Sequence, residues 1–95
     1  MFTYHLHARV KSPQDVPEIC RLFHHNLQLI QEPGWRGGGC MVDVDDACTL
    51  LIYENWGSLA ALKAWQTTVA RKIAYQVLEN QIEGEPRVAI YRDVA

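Results

Sequence analysis

No stretch of this 95-residue chain approaches the roughly 20 consecutive apolar residues that a membrane span requires. Neither sign of charge dominates. Nine Lys and Arg stand against eleven Asp and Glu, so there is no basic footprint for nucleic acid and none for an anionic membrane. Cysteine is sparse: Cys20, Cys40 and Cys48 form no CxxC or CxxH pair. An odd number of cysteines does not build a secreted disulfide scaffold, and reduced thiols are expected. Met1–His7 has no basic segment leading into an apolar core, as a signal peptide would, so a cytoplasmic location is expected. Internal repeats, linkers and low-complexity segments are also missing. The chain reads as one domain, 1–95, because two would each be too short to bury a core.

What is present is ordinary for a globular protein: 48% hydrophobic and 21% charged residues, enough apolar side chains for one core. Phe2, Tyr4, Leu6, Ala8 and Val10 alternate with Thr3, His5, His7 and Arg9, the period-two pattern of a strand. Ser12-Pro13 ends it, and Pro17 fits the first turn of a helix, where its missing N–H costs nothing. Val16, Ile19, Cys20, Phe23, Leu27 and Ile30 then recur at helical spacing and must lie on a sheet. Glu32-Pro33-Gly34 stops that helix. Trp35 and the Gly37-Gly38-Gly39 run, read as a rim or bulged entry, lead into a second strand over 40–44. Asp45-Asp46 supplies turn chemistry.

Thr49–Trp56 is a third strand, apolar at neighbouring positions as a strand covered on both faces would be. Gly57 breaks it, and Ser58 caps a helix whose Leu59, Leu62 and Trp65 share a face. Thr67-Thr68 restarts a second helical segment with an expected stripe of Val69, Ala70, Ile73, Ala74, Val77 and Leu78. Gly84-Glu85-Pro86 breaks that segment. Val88, Ile90 and Val94 then mark one face of a fourth strand. The order β-α-β-β-α-β, with its second helix broken, predicts an α+β, ferredoxin-like split βαβ: an antiparallel four-stranded sheet with helices on one face. Strand three places Leu50 and Ile52 on one face, Leu51 and Tyr53 on the other. The uncovered face therefore predicts a homodimer with two sheets packed face to face.

Four pieces in order carry a family likeness: Glu32-Pro33-Gly34, Tyr53-Glu54-Asn55-Trp56, the helix Ser58–Trp65, and Pro86-Arg87-Val88-Ala89-Ile90-Tyr91. Together they resemble the antibiotic biosynthesis monooxygenase (ABM) domain, a dimeric α+β barrel, over nearly the whole chain. The resemblance implies a cleft between sheet and helices. It also implies cofactor-independent oxygenation of phenolic or quinol-like substrates or, in a haem-degrading branch, oxidation of bound haem. The haem branch uses an axial histidine on the later helix, and Thr68–Tyr75 offers none. Its first-strand asparagine aligns near Leu6 or His7. The actinorhodin-type oxygenases carry an asparagine and a tyrosine where this chain has Ile52 and Leu62, and Trp65 stands where members often have histidine. Trp56 carries over.

The site expected from these residues is aromatic. Trp56 is either a platform for an aromatic substrate or a core residue at the strand–helix corner. Trp65 and Tyr75 extend the wall, with the same alternative. For the chemistry, His7 is the candidate base, its unperturbed pKa near 6.5, and Asn55 or Arg9 the group that stabilises the developing anion. His5 and His7 share a strand face but lack a third ligand, so no metal is expected, and no cofactor. The expected function is oxidation of a small aromatic molecule by dioxygen, the alternative a non-catalytic barrel binding an apolar ligand.

Overall fold

The alternation at the N-terminus does build a strand, and it is the one the sheet is assembled on. In a computed structural model, which describes residues 1–94, β1 (Phe2–Val10) buries Tyr4, Leu6, Ala8 and Val10 on one face. β1 pairs antiparallel with β3 (Thr49–Trp56) on one side and β4 (Ile82–Arg92) on the other, and β2 (Trp35–Val42) pairs with β3. The order is β2-β3-β1-β4, antiparallel throughout. The helices α1 (Val16–Gln28), α2 (Leu59–Gln66) and α3 (Val69–Tyr75) complete the expected ferredoxin-like fold.

Phe23 and Leu27 of α1, Leu62 and Trp65 of α2, and Leu50, Ile52 and Trp56 of β3 share one core. Fully burying such side chains supplies about 1.5–3 kcal/mol each. Ser58 caps α2 by accepting from the Ala61 N–H at 3.1 Å, and Thr68 caps α3 by accepting from the Arg71 N–H at 3.1 Å. Each cap contributes about 1 kcal/mol.

Three local expectations change. β2 begins at Trp35 and not at Cys40, so the glycine run lies inside the strand: the pairing register shifts between Trp35 and Gly38, with Gly37 at φ +101°. This is the bulged entry, in the G1 style where glycine takes the left-handed position. Val69 and Ile73 are not core residues. They are 72% and 57% exposed, because the Thr68 cap restarts the helix in a phase that turns Ala74 and Tyr75 inward. β4 starts at Ile82 and passes through Gly84-Glu85-Pro86, which bulge opposite Ala8 of β1. Pro86 is tolerated there because β4 is an edge strand. Val94 lies beyond the strand.

No helix of the described residues is long and apolar enough to cross a membrane. The sheet face turned away from the helices carries Thr3, His5, His7 and Arg9 of β1. Beside them lie Leu51, Tyr53 and Asn55 of β3, Met41 of β2 and Tyr91 of β4, by cross-strand register. His5 packs edge-on to Tyr91 with ring centroids 5.0 Å apart. Burial, and then the charge of His7, lowers the His5 pKa below the usual 6.5.

Candidate functional site

β3 assigns its residues to faces by position alone. Even-numbered Leu50, Ile52, Glu54 and Trp56 point to the helices, odd-numbered Leu51, Tyr53 and Asn55 to the open face. The sequence-predicted site residues divide accordingly. Trp56, Trp65 and Tyr75 meet on the helix side. His7, Arg9 and Asn55 stand on the open face and share no cleft with them in one chain. Asn55 accepts from the Thr3 hydroxyl at 2.9 Å, and Arg9 is ion-paired with Asp46 and Glu83 on the surface. His7 lines a shallow hollow of about 250 Å³ beneath the β2–β3 turn. The physical reason is the strand period: one residue along β3 is the opposite side of the sheet.

On the helix side lies a group of residues that the sequence reading passed over. Glu54 is 1% exposed, the one charged residue in the core of the described chain. Its carboxylate accepts from the Trp56 indole N–H at 2.9 Å and from the Tyr75 hydroxyl. Arg71 lies over the Tyr75 ring, 3.8 Å from its centroid, and donates to the Tyr4 hydroxyl at 3.0 Å. Burial, then the Glu54 charge, pushes the Tyr75 pKa well above 10. Burial also raises that of Tyr4, with Arg71 pulling it back. Both phenols are therefore proton donors at neutral pH. The available signal was a carboxylate at a period-two core position, following Leu50 and Ile52.

Trp56 itself is fully enclosed. Its ring lies 5.1 Å from that of Trp35 and 6.0 Å from that of Trp65, with Glu54 holding its N–H. The space beside it is filled by protein, and of the two indoles it is Trp65, itself only 2% exposed, that borders a cavity. Trp65 lines a cavity of about 340 Å³ between the end of α1 and the α2–α3 corner, walled also by Leu29, Ile30, Ala70, Ile73 and Ala74. That volume is in the range of small-molecule sites, roughly 300–1,000 Å³. Asn26, Gln31 and Glu32 form its polar edge. Among the described residues, Trp65 Nε1 is the only buried side-chain nitrogen or oxygen without a hydrogen-bond partner.

A second hollow, of about 430 Å³, is polar and is lined by Thr68, Arg71, Lys72, Tyr75 and Gln76. Among the described residues no group of three or more His, Cys, Asp or Glu is placed to hold a metal ion. The helix-side cavity can therefore do two things chemically. It can hold a small apolar group against a wall of aliphatic and alanine side chains bordered by Trp65, and it can present the Glu32 side chain at its rim.

The fold is shared with solved structures. A candidate antibiotic biosynthesis monooxygenase of Caulobacter crescentus superposes with a TM-score of 0.83 at 19% identity, covering 99% of this chain and 90% of that one. A candidate of the same description from Nitrosomonas europaea gives 0.79 at 21%, with both chains fully covered. SnoaB, a cofactor-independent oxygenase from Streptomyces nogalater, gives 0.76 at 9%, covering 99% and 93%. No curated protein matches the sequence. The model of the family described as antibiotic biosynthesis monooxygenase matches residues 1–81, spanning β1 to the end of the helical layer. This chain belongs to the antibiotic biosynthesis monooxygenase family.

Proposed function

We propose that this protein oxidises a small phenolic or quinol-like aromatic with dioxygen, without a cofactor, in the helix-side cavity. The observation that carries the reading is that apolar cavity, walled by the Trp65 indole, in a chain of this family. The likeness in fold to SnoaB supports it. In such a reaction the phenol loses its proton and the electron-rich phenolate reduces dioxygen. A ring carbon gains one oxygen atom, and the other leaves as water. The protein's task is to hold the ring, exclude water and take the proton.

Trp65 holds the ring by stacking, with Trp56 and Trp35 behind it keeping its plane fixed. Tyr75 and Glu54 support this wall from within, because Glu54 fixes Trp56. Incubation with a panel of hydroxynaphthalenes under air should give oxygen uptake. A Trp65→Ala variant should lose at least about tenfold in kcat/KM, equivalent to about 1.4 kcal/mol of transition-state binding. Unchanged turnover in that variant would remove the site. A ligand that raises the melting temperature without being converted would instead support the binding-only reading.

We also propose that two chains pair through their open sheet faces. Met41 and Tyr91, 50% and 55% exposed, would be covered together with Leu51 and Tyr53. Light scattering should give twice the 10.9 kDa chain mass at micromolar concentration. Such a pair buries His5 further, and burial already disfavours its charged form. With the folded pKa depressed, the contribution is complete above about pH 6.5 and is lost as pH falls. Dissociation should therefore increase on acidification. A monomer at neutral pH would refute the pairing.

A further inference from the structure

We infer that Cys20 and Cys40 form a modification site: a pair of thiols that hydrogen peroxide closes to a disulfide in the folded chain and a dithiol reopens. The site lies where α1 packs on β2 and is independent of the oxidation proposed above. Three observations carry it.

The first is that the two sulfurs already meet. Cys20 Sγ of α1 lies 2.9 Å from Cys40 Sγ of β2, and both residues are free thiols. A disulfide bond is about 2.05 Å long, so closure asks for roughly 0.9 Å of further approach. The two positions are 20 apart in the chain, and only the packing of helix on strand brings them together.

The second is that the joint is held on both sides of the pair. Ile19 and Phe23 of α1 are buried in the core. One turn along from Cys20, His24 donates from Nε2 to the Cys40 carbonyl oxygen at 3.2 Å. Gly39 leaves room for this approach, since a Cβ there would stand 3.0 Å from His24 Cε1. Each thiol therefore keeps its partner while the chain stays folded.

The third is that the thiols are unequal. Cys40 is 6% exposed and stands opposite Ile52 in the sheet register, on the helix side. Burial first, then the hydrogen bond to Cys20 and its charge, raises the Cys40 pKa well above the usual thiol range. Cys20 is half-buried and open to a small oxidant. The order of events follows. Cys20 attacks the O–O bond of hydrogen peroxide, takes one oxygen as a sulfenic acid and releases the other as water. Cys40 then attacks the sulfenic sulfur. The S–S bond forms, the S–OH bond breaks, and the departing hydroxide leaves with the Cys40 proton as a second water. The two sulfurs give up two electrons and the peroxide takes them.

The test starts from the reduced full chain, treated with a small excess of hydrogen peroxide at neutral pH. Its mass should fall by two hydrogens, and of its three thiols only Cys48 should remain open to alkylation. A Cys48→Ser chain should keep none and still run as a single chain in non-reducing electrophoresis, which excludes a bridge between copies. Dithiothreitol should restore every thiol. The melting temperature should rise on oxidation by about 10 °C, as expected for cross-linking a loop of this length in a small domain. Cys20→Ser should show no rise. Cys40→Ala, which lacks the second thiol, should accumulate a sulfenic acid at Cys20 that dimedone traps and that the wild type does not retain. Three alkylatable thiols after peroxide overturn the inference, as does a gain of oxygen in place of the loss of hydrogen. A melting temperature that does not rise, or a Cys40→Ala chain that traps no sulfenic acid at Cys20, overturns it equally. None of these readouts depends on turnover of an aromatic substrate, so a failure of the enzymatic reading leaves the site standing.

Discussion

Replacing Glu54 by alanine is expected to destabilise the protein by about 3–5 kcal/mol, the cost of leaving two buried neutral donors unsatisfied at about 1–3 kcal/mol each together with the volume lost. The change strands two donors at once, the Trp56 indole N–H and the Tyr75 hydroxyl, which the carboxylate now satisfies. It also empties the volume of a fully buried side chain in the centre of the sheet. In a domain of this size that corresponds to a fall in melting temperature of about 15–25 °C. Glu54→Gln retains an acceptor for the indole and can donate its amide to the Tyr75 oxygen, so it should retain most of the stability. Tyr75→Phe removes one hydrogen bond and should cost about 1–2 kcal/mol.

The pH dependence gives an independent check on the same network. The Tyr75 pKa in the folded chain is raised above 10, by burial first and the Glu54 charge second. Its contribution is therefore complete below pH 10. It is lost as pH rises further, because the unfolded chain releases that proton and the folded chain holds it. Stability of the wild type should fall above pH 10 with a slope approaching about 1.4 kcal/mol per pH unit from this residue. Tyr75→Phe should flatten that slope. Chemical denaturation across pH 8–11 measures it. A Glu54→Ala variant within about 1 kcal/mol of wild type would mean that the carboxylate is not what holds the tryptophan corner.

The fold was readable because its signals are periodic. β1 alternates cleanly, α1 carries a continuous stripe from Val16 to Leu27, and Thr67-Thr68 marks the break between α2 and α3. The site was readable only in part. Trp56, Trp65 and Tyr75 do gather on one side, since strand end and helix stripe both turn them inward. His7, Arg9 and Asn55 were grouped with them on chemistry alone, although on β3 Asn55 and Trp56 are neighbours and must point to opposite faces. Glu54 was hidden by the opposite bias. A carboxylate reads as surface, and nothing local announces that Trp56 and a residue twenty-one positions later will saturate it. The cavity depends on the phase of α3. That phase is set by the Thr68 hydroxyl accepting from the Arg71 N–H, and it leaves Ile73 at the cavity wall and out of the core.

Gly38→Ala is expected to cost about 3 kcal/mol or more and to disturb the site from a distance, although Gly38 touches no ligand. A Cβ at this position would lie 2.2 Å from the Tyr53 carbonyl oxygen and 3.2 Å from Glu54 Cα, both backbone atoms of the paired strand. Neither can rotate away, so β2 must separate from β3, at the upper end of the usual overpacking cost or beyond it. Gly37, one residue earlier, has open space around it and carries only the left-handed φ. Gly37→Ala should therefore cost about 1–2 kcal/mol, the strain of a non-glycine residue at positive φ. The ordering of the two variants follows from close backbone approach at one glycine and torsion at the other. The functional consequence runs through Trp35, whose ring is 3.0 Å from the same added carbon and whose other neighbour is Trp56. Pushing Trp35 outward loosens the stack Trp35–Trp56–Trp65, so that the indole wall of the cavity loses its backing. Near-ultraviolet circular dichroism should show the tryptophan signal weakened in Gly38→Ala and preserved in Gly37→Ala. The reverse ordering, or equal small effects, would mean that the bulge is not what seats the tryptophans.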